Sequence, residues 1–359
     1  MIDRLPAHGG QLHLLAERFG IAESELLDFS ANINPDGPPA AVVSALREGI
    51  EDLSTIVSYP DLEQKELKCA IARYAGVTHQ KVVVANGFVP LLEAALRTLK
   101  IRSCLLPVPA FVEYRKALTR ALVEIAPYIL SADRGFSYDA DDMMNGKHDA
   151  ILLANPQNPS GVACSRDEVL SLISRAAERN IWMLLDEAFV DYVPEFSVTR
   201  YVDRFPNLIV FRSVTKFHGM PGLRAAYAVA NVATVISLNE ILPPWPITTL
   251  ASRAVSAGLG DDAYAVRTRI LNQERRTLLK DAIEALGIHV YPSAANFLLF
   301  RSPERIDADT FWRRMLCEHH IALRSCFNYE GLAKGHLRAA VRTEEENSRL
   351  ARAIAQLLR

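Results

Sequence analysis

Residues 211–224, FRSVTKFHGMPGLR, place one lysine, Lys216, between Ser213 upstream and Arg224 downstream. A hydroxyl and a guanidinium are groups that hold a phosphate, and an amine between them is the group that forms a Schiff base with an aldehyde. The stretch therefore reads as a site for pyridoxal 5'-phosphate, which carries both functions. Taken alone, it reads equally well as a loop with a solvated lysine.

Two upstream segments bear on that choice. In Trp182–Asp191, WMLLDEAFVD, an apolar run ends in Asp186, the pattern of a buried strand that delivers a carboxylate at its C-terminal edge. A carboxylate there can pair with a protonated pyridine nitrogen and keep the ring able to absorb electrons from a bond broken at a substrate's α-carbon. A helix-capping or turn aspartate would give the same local pattern. In Ile151–Gly161, ILLANPQNPSG, a second apolar run ends in a loop of Asn, Pro and Gly, and Asn158 can donate to the cofactor's phenolic oxygen. An ordinary strand-to-turn junction would look similar.

In this order and spacing the three segments resemble the fold-type I pyridoxal phosphate enzymes, the aspartate aminotransferase superfamily. The resemblance implies that Asn158, Asp186, Ser213, Lys216 and Arg224 surround one cofactor, with Ser160 standing where threonine is usual. It also implies stacking of Phe111 on the pyridine ring, and a reach by Tyr59 to the cofactor phosphate of a neighbouring subunit, so that the active unit is a homodimer. Asn86-Gly87-Phe88 follows a strand-like run and precedes a helical pattern at Leu91–Leu99, so its backbone N–H groups are placed to receive a phosphate. Phe88-Val89-Pro90 supplies no side-chain donor, which shifts the expected phosphate contacts to the Gly87–Phe88 backbone, Ser213 and Arg224.

Half of the 359 residues are hydrophobic, enough for a large core in two unequal lobes. A net charge of −2 carries no basic bias of the kind a nucleic-acid binder shows. The five cysteines have no CxxC spacing, the histidines no metal-ligand spacing, and the N-terminus no apolar signal core; a cytoplasmic enzyme without a metal or membrane anchor is the expectation. Apolar runs alternating with helical patterns indicate an α/β fold with a mainly parallel sheet covered by helices. The expected strands are Lys81–Ala85, Ser103–Val108, Val123–Ile125, Ala150–Ala154, Ile181–Asp186, Leu208–Arg212 and Ala226–Val229. Ser165 with Glu168 reads as a capping box. The proline-rich Leu242–Pro246 marks the crossing to a smaller C-terminal lobe, expected to hold one long helix near Thr248–Leu286, strands at Asn296–Phe300 and His336–Val341, and helices at Ala308–His319 and from Thr343. The expected divisions are an N-terminal segment 1–40, a cofactor-binding lobe 41–245 and a small lobe 246–359.

The ends of the chain carry a narrower resemblance. His8-Gly9-Gly10, Leu27–Pro35 (LDFSANINP) and Leu323–Leu332 (LRSCFNYEGL) are similar to the threonine-phosphate decarboxylases of the cobalamin pathway. Phe189 points the same way, because the histidinol-phosphate aminotransferases typically carry tyrosine there. This resemblance implies a substrate with an amine, an α-carboxylate and a phosphate. Arg338 matches the superfamily's carboxylate-binding arginine, a planar fork suited to two-point oxyanion contacts. Arg324 and His8 are the other candidate anion ligands, Asn32 a polar neighbour, and Arg342 a weaker competitor. Phosphothreonine, phosphoserine and a phosphonate analogue stay open, as does an aminotransferase using the same cofactor residues.

Overall fold

Short runs of Val, Ile, Leu and Ala bounded by turn residues can be buried on both faces only as central strands with helices above and below. The computed structural model describes residues 6–359 and shows that arrangement. After a short β1 (Leu27–Asp28), the strands β2 (Val82–Ala85), β3 (Ser103–Val108), β4 (Glu124–Ile129), β5 (Ala150–Ala154), β6 (Trp182–Asp186), β7 (Leu208–Ser213) and β8 (Ala226–Val229) follow in chain order. The last seven form one sheet in the order β2-β8-β7-β6-β5-β3-β4. It is parallel except for β8, which runs antiparallel to both neighbours. Apolar cores lie on each face, one around Leu153, Leu185 and Val210, the other around Leu152, Leu184 and Ile209.

A smaller sheet, β11-β12-β9, comprises β9 (Phe297–Arg301), β11 (Arg324–Ser325) and β12 (His336–Ala340). The N-terminal segment is fastened beside it. β1 pairs in parallel with β10 (Ile321–Ala322), and Ala340 N donates to the Phe29 carbonyl at 2.8 Å. Ser165 and Glu168 form the expected capping box, which opens the helix Arg166–Glu178.

Three expected elements differ. The edge strand at 124–129 is longer than Val123–Ile125, because four of its six residues are exposed and Pro127, tolerated only at an edge, breaks the apolar pattern. The helix after Gly87 begins at Phe88 rather than Leu91; Pro90 falls in its first turn, where no N–H is required. The single long helix at 248–286 is two, Thr249–Leu259 and Asp262–Glu284, separated where Asp261 caps the second by accepting from Tyr264 N at 2.8 Å. The first half packs into the large sheet's core through Ala251, Ala254 and Val255. Only the second carries Leu279 and Ile283 into the core of the smaller sheet.

Candidate active site

The C-terminal ends of β5, β6 and β7 open onto a cavity of about 390 Å3, at the position where parallel α/β sheets bind ligands. Gly87, Phe88, Phe111, Asn158, Asp186, Ser213, Lys216 and Arg224 line it. So do His8, Asn32, Arg324 and Arg338. Tyr59 does not: it is 82% exposed and stacks on Trp245 with ring centroids 4.7 Å apart.

Asp186 ends β6 and is buried. Burial pushes its carboxyl up to about 6, against hydrogen bonds from Tyr114 Oη at 2.5 Å and from Ala188 N at 2.9 Å. Tyr114 was not visible from the sequence, since a tyrosine in the helix Val112–Arg120 has no local pattern linking it to a strand end 72 residues away. Beneath, Arg212 is paired with Glu187 at 3.3 Å and with Asp191, so the strand end rests on a buried charge cluster.

Lys216 follows β7. Burial lowers its amine to about 8, helped by the positive charges of Arg338 and Arg224 and opposed by Asp186. Ser213 Oγ lies 2.7 Å from Thr215 Oγ1, a second hydroxyl at the same turn that sequence reading passed over. Arg224 adopts the left-handed conformation, φ 53°, uncommon for a side-chain-bearing residue and frequent at functional turns. Its guanidinium lies over Gly87, where a Cβ would meet Nη2 at 2.9 Å. Gly87 itself has φ +97°, a conformation that requires glycine.

The helix Phe88–Thr98 starts immediately after Gly87 with no side-chain cap, leaving the N–H groups of its first turn without intrahelical acceptors. With Arg224, Ser213 and Thr215 around it, this helix terminus fits a phosphate. The carboxylate of Asp186 fits a ring nitrogen, and the Lys216 amine fits an aldehyde. Asn158 Oδ1 already accepts from Arg338 Nη1 at 2.5 Å and from Tyr329 Oη at 3.2 Å, which leaves its amide N–H groups to donate to a ring oxygen. The residues present therefore fit pyridoxal 5'-phosphate. Phe88 offers this site only its backbone, since its ring packs into the aromatic cluster with Tyr114 and Phe211.

The other side of the cavity is built from distant segments. The antiparallel register of β11 and β12 sets Arg324 directly opposite Arg338. They are 4% and 5% exposed, and neither meets a carboxylate among the described residues. Arg324 donates to the carbonyls of Ser325 and Ala7 and to Asn328 Oδ1, each at 2.7 Å; Arg338 donates to Asn158, Tyr329 and the Ser30 carbonyl. Arg338 Nε is buried without a partner, as is Asn32 Oδ1. Gly9 lies so close to the Ser30 carbonyl that no Cβ would fit, and this contact brings His8 to the cavity mouth. There His8 Nε2 lies 2.8 Å from Glu113, a lining carboxylate not anticipated from the sequence. Phe189 is buried edge-on against Phe297 at 5.0 Å. Arg342 is occupied elsewhere, by the Asp28 carbonyl and Glu346. Among the described residues no cluster of His, Cys, Asp and Glu is arranged to hold a metal, and no helix is long and apolar enough to cross a membrane.

This architecture and site define a fold-type I α/β enzyme. The chain belongs to the aminotransferase class I and II family, whose model matches residues 24–354. It is 34% identical to the threonine-phosphate decarboxylase of Salmonella typhimurium over 98% of this chain and 96% of that protein. It is 31% identical to the histidinol-phosphate aminotransferase of an Anaeromyxobacter species, over 98% and 95%. Among solved structures, the histidinol-phosphate aminotransferase from Clostridium acetobutylicum superposes with a TM-score of 0.86 at 26% identity, covering 93% of this chain and 99% of that one.

Proposed function

We propose that this protein is a pyridoxal phosphate-dependent decarboxylase of a phosphorylated amino acid, with L-threonine O-3-phosphate as substrate and aminopropanol phosphate as product, serving cobalamin biosynthesis. The observation that carries the reading is the Arg324–Arg338 pair. Two like charges buried face to face across a strand ladder repel each other, and neutral acceptors orient them without cancelling their charge. A ligand with two anionic ends supplies what the site lacks. Arg338 takes the carboxylate and Arg324 with His8 the phosphate, with Asn32 as a polar neighbour.

The cofactor, when bound, supplies an electron sink for the bond broken at the substrate's α-carbon. Lys216 would carry it covalently, and its amine, once displaced by the substrate's own amine, would hold and return a proton at that carbon. Asp186 keeps the ring nitrogen positive, while Asn158 donates to the ring oxygen. Gly87, Phe88, Ser213 and Arg224 hold the phosphate, and Phe111 covers the ring. Phe189 presents an apolar edge where a tyrosine would add a hydroxyl. The proposed working unit is a homodimer in which Tyr59 reaches the partner's site; its exposure, together with that of Leu53, Ile56 and Val57 nearby, supports a surface covered by a second copy.

The likeness to histidinol-phosphate aminotransferases sustains a second reading, transamination with the same cofactor residues. Carbon dioxide release separates the two. Given threonine phosphate, the enzyme is expected to release carbon dioxide with no 2-oxo acid present. Stoichiometric conversion of the cofactor to its amine form, with a keto product, would establish the aminotransferase instead.

A further inference from the structure

A second cavity, of about 850 Å3, shares Arg212 as a wall with the first. Guanidiniums from five separate elements line it: Arg73 near the end of the helix Lys65–Ala75, Arg166, Arg200, Arg212 of β7 and Arg269 of the helix Asp262–Glu284. Asp191 and Asp262 are the carboxylates of the lining; Asp191 is committed to Arg212 and to Tyr74 Oη, the latter at 2.7 Å, and Glu187 also pairs with Arg212, so the uncompensated charges are Arg73, Arg166, Arg200 and Arg269. Positive charge is left in excess.

Solvation accounts for Arg73 and Arg200, which are exposed, and the C-terminal end of a helix favours cations in any case. It does not account for the buried donors. Arg212 is 5% exposed and its Nε has no partner; the hydroxyl of Ser256, a residue of the lining, is buried without one. Buried donors in folded proteins are almost always satisfied by protein, water or an ion. Arg166 and Arg269 are held by the carbonyls of Glu195 and Asp191, each with an Nε contact of 2.8 Å, which orients them and leaves their charge uncancelled. Unsatisfied donors beside several uncompensated guanidiniums describe a site whose acceptor is a multivalent oxyanion.

We propose that this second cavity binds a phosphate-class oxyanion, with Arg73, Arg200 and Arg269 as its charged walls and Arg212 and Ser256 as its buried donors. The site shares Arg212 with the wall of the first cavity, otherwise lies outside the proposed catalytic groups, and does not depend on the reaction assigned to them. Free phosphate and a phosphate ester share the chemistry required.

The test is calorimetric titration of the cofactor-loaded protein with inorganic phosphate and, separately, with glycerol phosphate. It is run in an Arg324→Ala/Arg338→Ala background, so that the catalytic cavity contributes no anion site. One anion per chain is expected to bind, weakened about tenfold or more by Arg73→Ala and again by Arg200→Ala, the effect of losing a hydrogen bond to a charged group. Chloride at matched ionic strength should not replace it. Tighter binding of the ester identifies an esterified ligand, and equal binding identifies free phosphate. Thermal midpoints without anion confirm that both exposed-arginine variants are folded. The proposal is overturned if the background binds no phosphate, if Arg73→Ala and Arg200→Ala leave binding unchanged, or if chloride competes equally. A failed carbon dioxide assay, by contrast, would count only against the catalytic reading.

Discussion

The two halves of the cavity are built by different rules. On the cofactor side, Asn158, Asp186, Ser213 and Lys216 stand at or just beyond the ends of three adjacent strands, Asn158 after β5, Asp186 on β6, and Ser213 and Lys216 both at the end of β7. On the substrate side, His8, Asn32, Arg324 and Arg338 come from segments up to about 330 residues apart, joined by the β1–β10 pairing and the β11–β12 register. In the first half Asp186 is held by Tyr114 and Arg212 by two carboxylates before any ligand arrives, while Lys216 and Arg224 meet no carboxylate among the described residues. The second half leaves both arginines without a counter-charge. A prepared cofactor bed and an unsatisfied substrate bed follow from the same sheet architecture.

The sharpest way to break this division is at Lys216. The Lys216→Ala protein is expected to lose covalent cofactor attachment and turnover down to background, whereas borohydride reduction of the wild type followed by peptide mass analysis should place the adduct on Lys216. An adduct on Lys81 or Lys334 would remove the cofactor side from this cavity altogether. Next in size is Asp186→Asn. It should still bind cofactor but lose about 10²–10³ in kcat, the usual loss when one preorganised electrostatic partner is removed. Near-normal turnover would make the aspartate a structural residue.

Smaller effects separate the two arginines. Each alanine substitution should weaken substrate binding by roughly 1.5–3 kcal/mol. Arg324→Ala should leave the cofactor's absorbance unchanged. Arg338→Ala should shift it, because Arg338 also fixes Asn158 Oδ1. Identical spectra would mean that the two sides are not joined through Asn158. The smallest effect is on pH dependence. Uptake of cofactor by the free protein needs the neutral Lys216 amine, so its rate should rise with pH, with a midpoint near 8, and then level off. Arg338→Ala removes one of the positive charges that hold that amine down, and the midpoint should move to higher pH.

This division also explains what could be read from sequence. Asp186, Asn158 and Lys216 were legible because each follows a run such as Ile151–Ala154 whose burial is written locally, and the strand ends fell within a residue or two of expectation for β3, β5 and β6. The Arg324–Arg338 register was not, since a strand of two residues carries no period. Tyr114, Thr215 and Glu113 escaped for a related reason: their roles are set by a neighbour distant in sequence or by a turn conformation. The break between Leu259 and Asp262 hid because Gly260 and Asp261 interrupt an otherwise continuous helical pattern for only two residues.

Asn158 sits where the halves meet, with one oxygen shared by Arg338 and Tyr329 and its amide left for the ring. Anything that draws Arg338 toward an incoming carboxylate must redistribute the donors on that oxygen, and with them the polarity of the amide against the chromophore. A substrate mimic with its amine deleted, unable to react at all, should therefore still tint the protein differently. The colour of the protein would then be an optical gauge of how full its substrate half is.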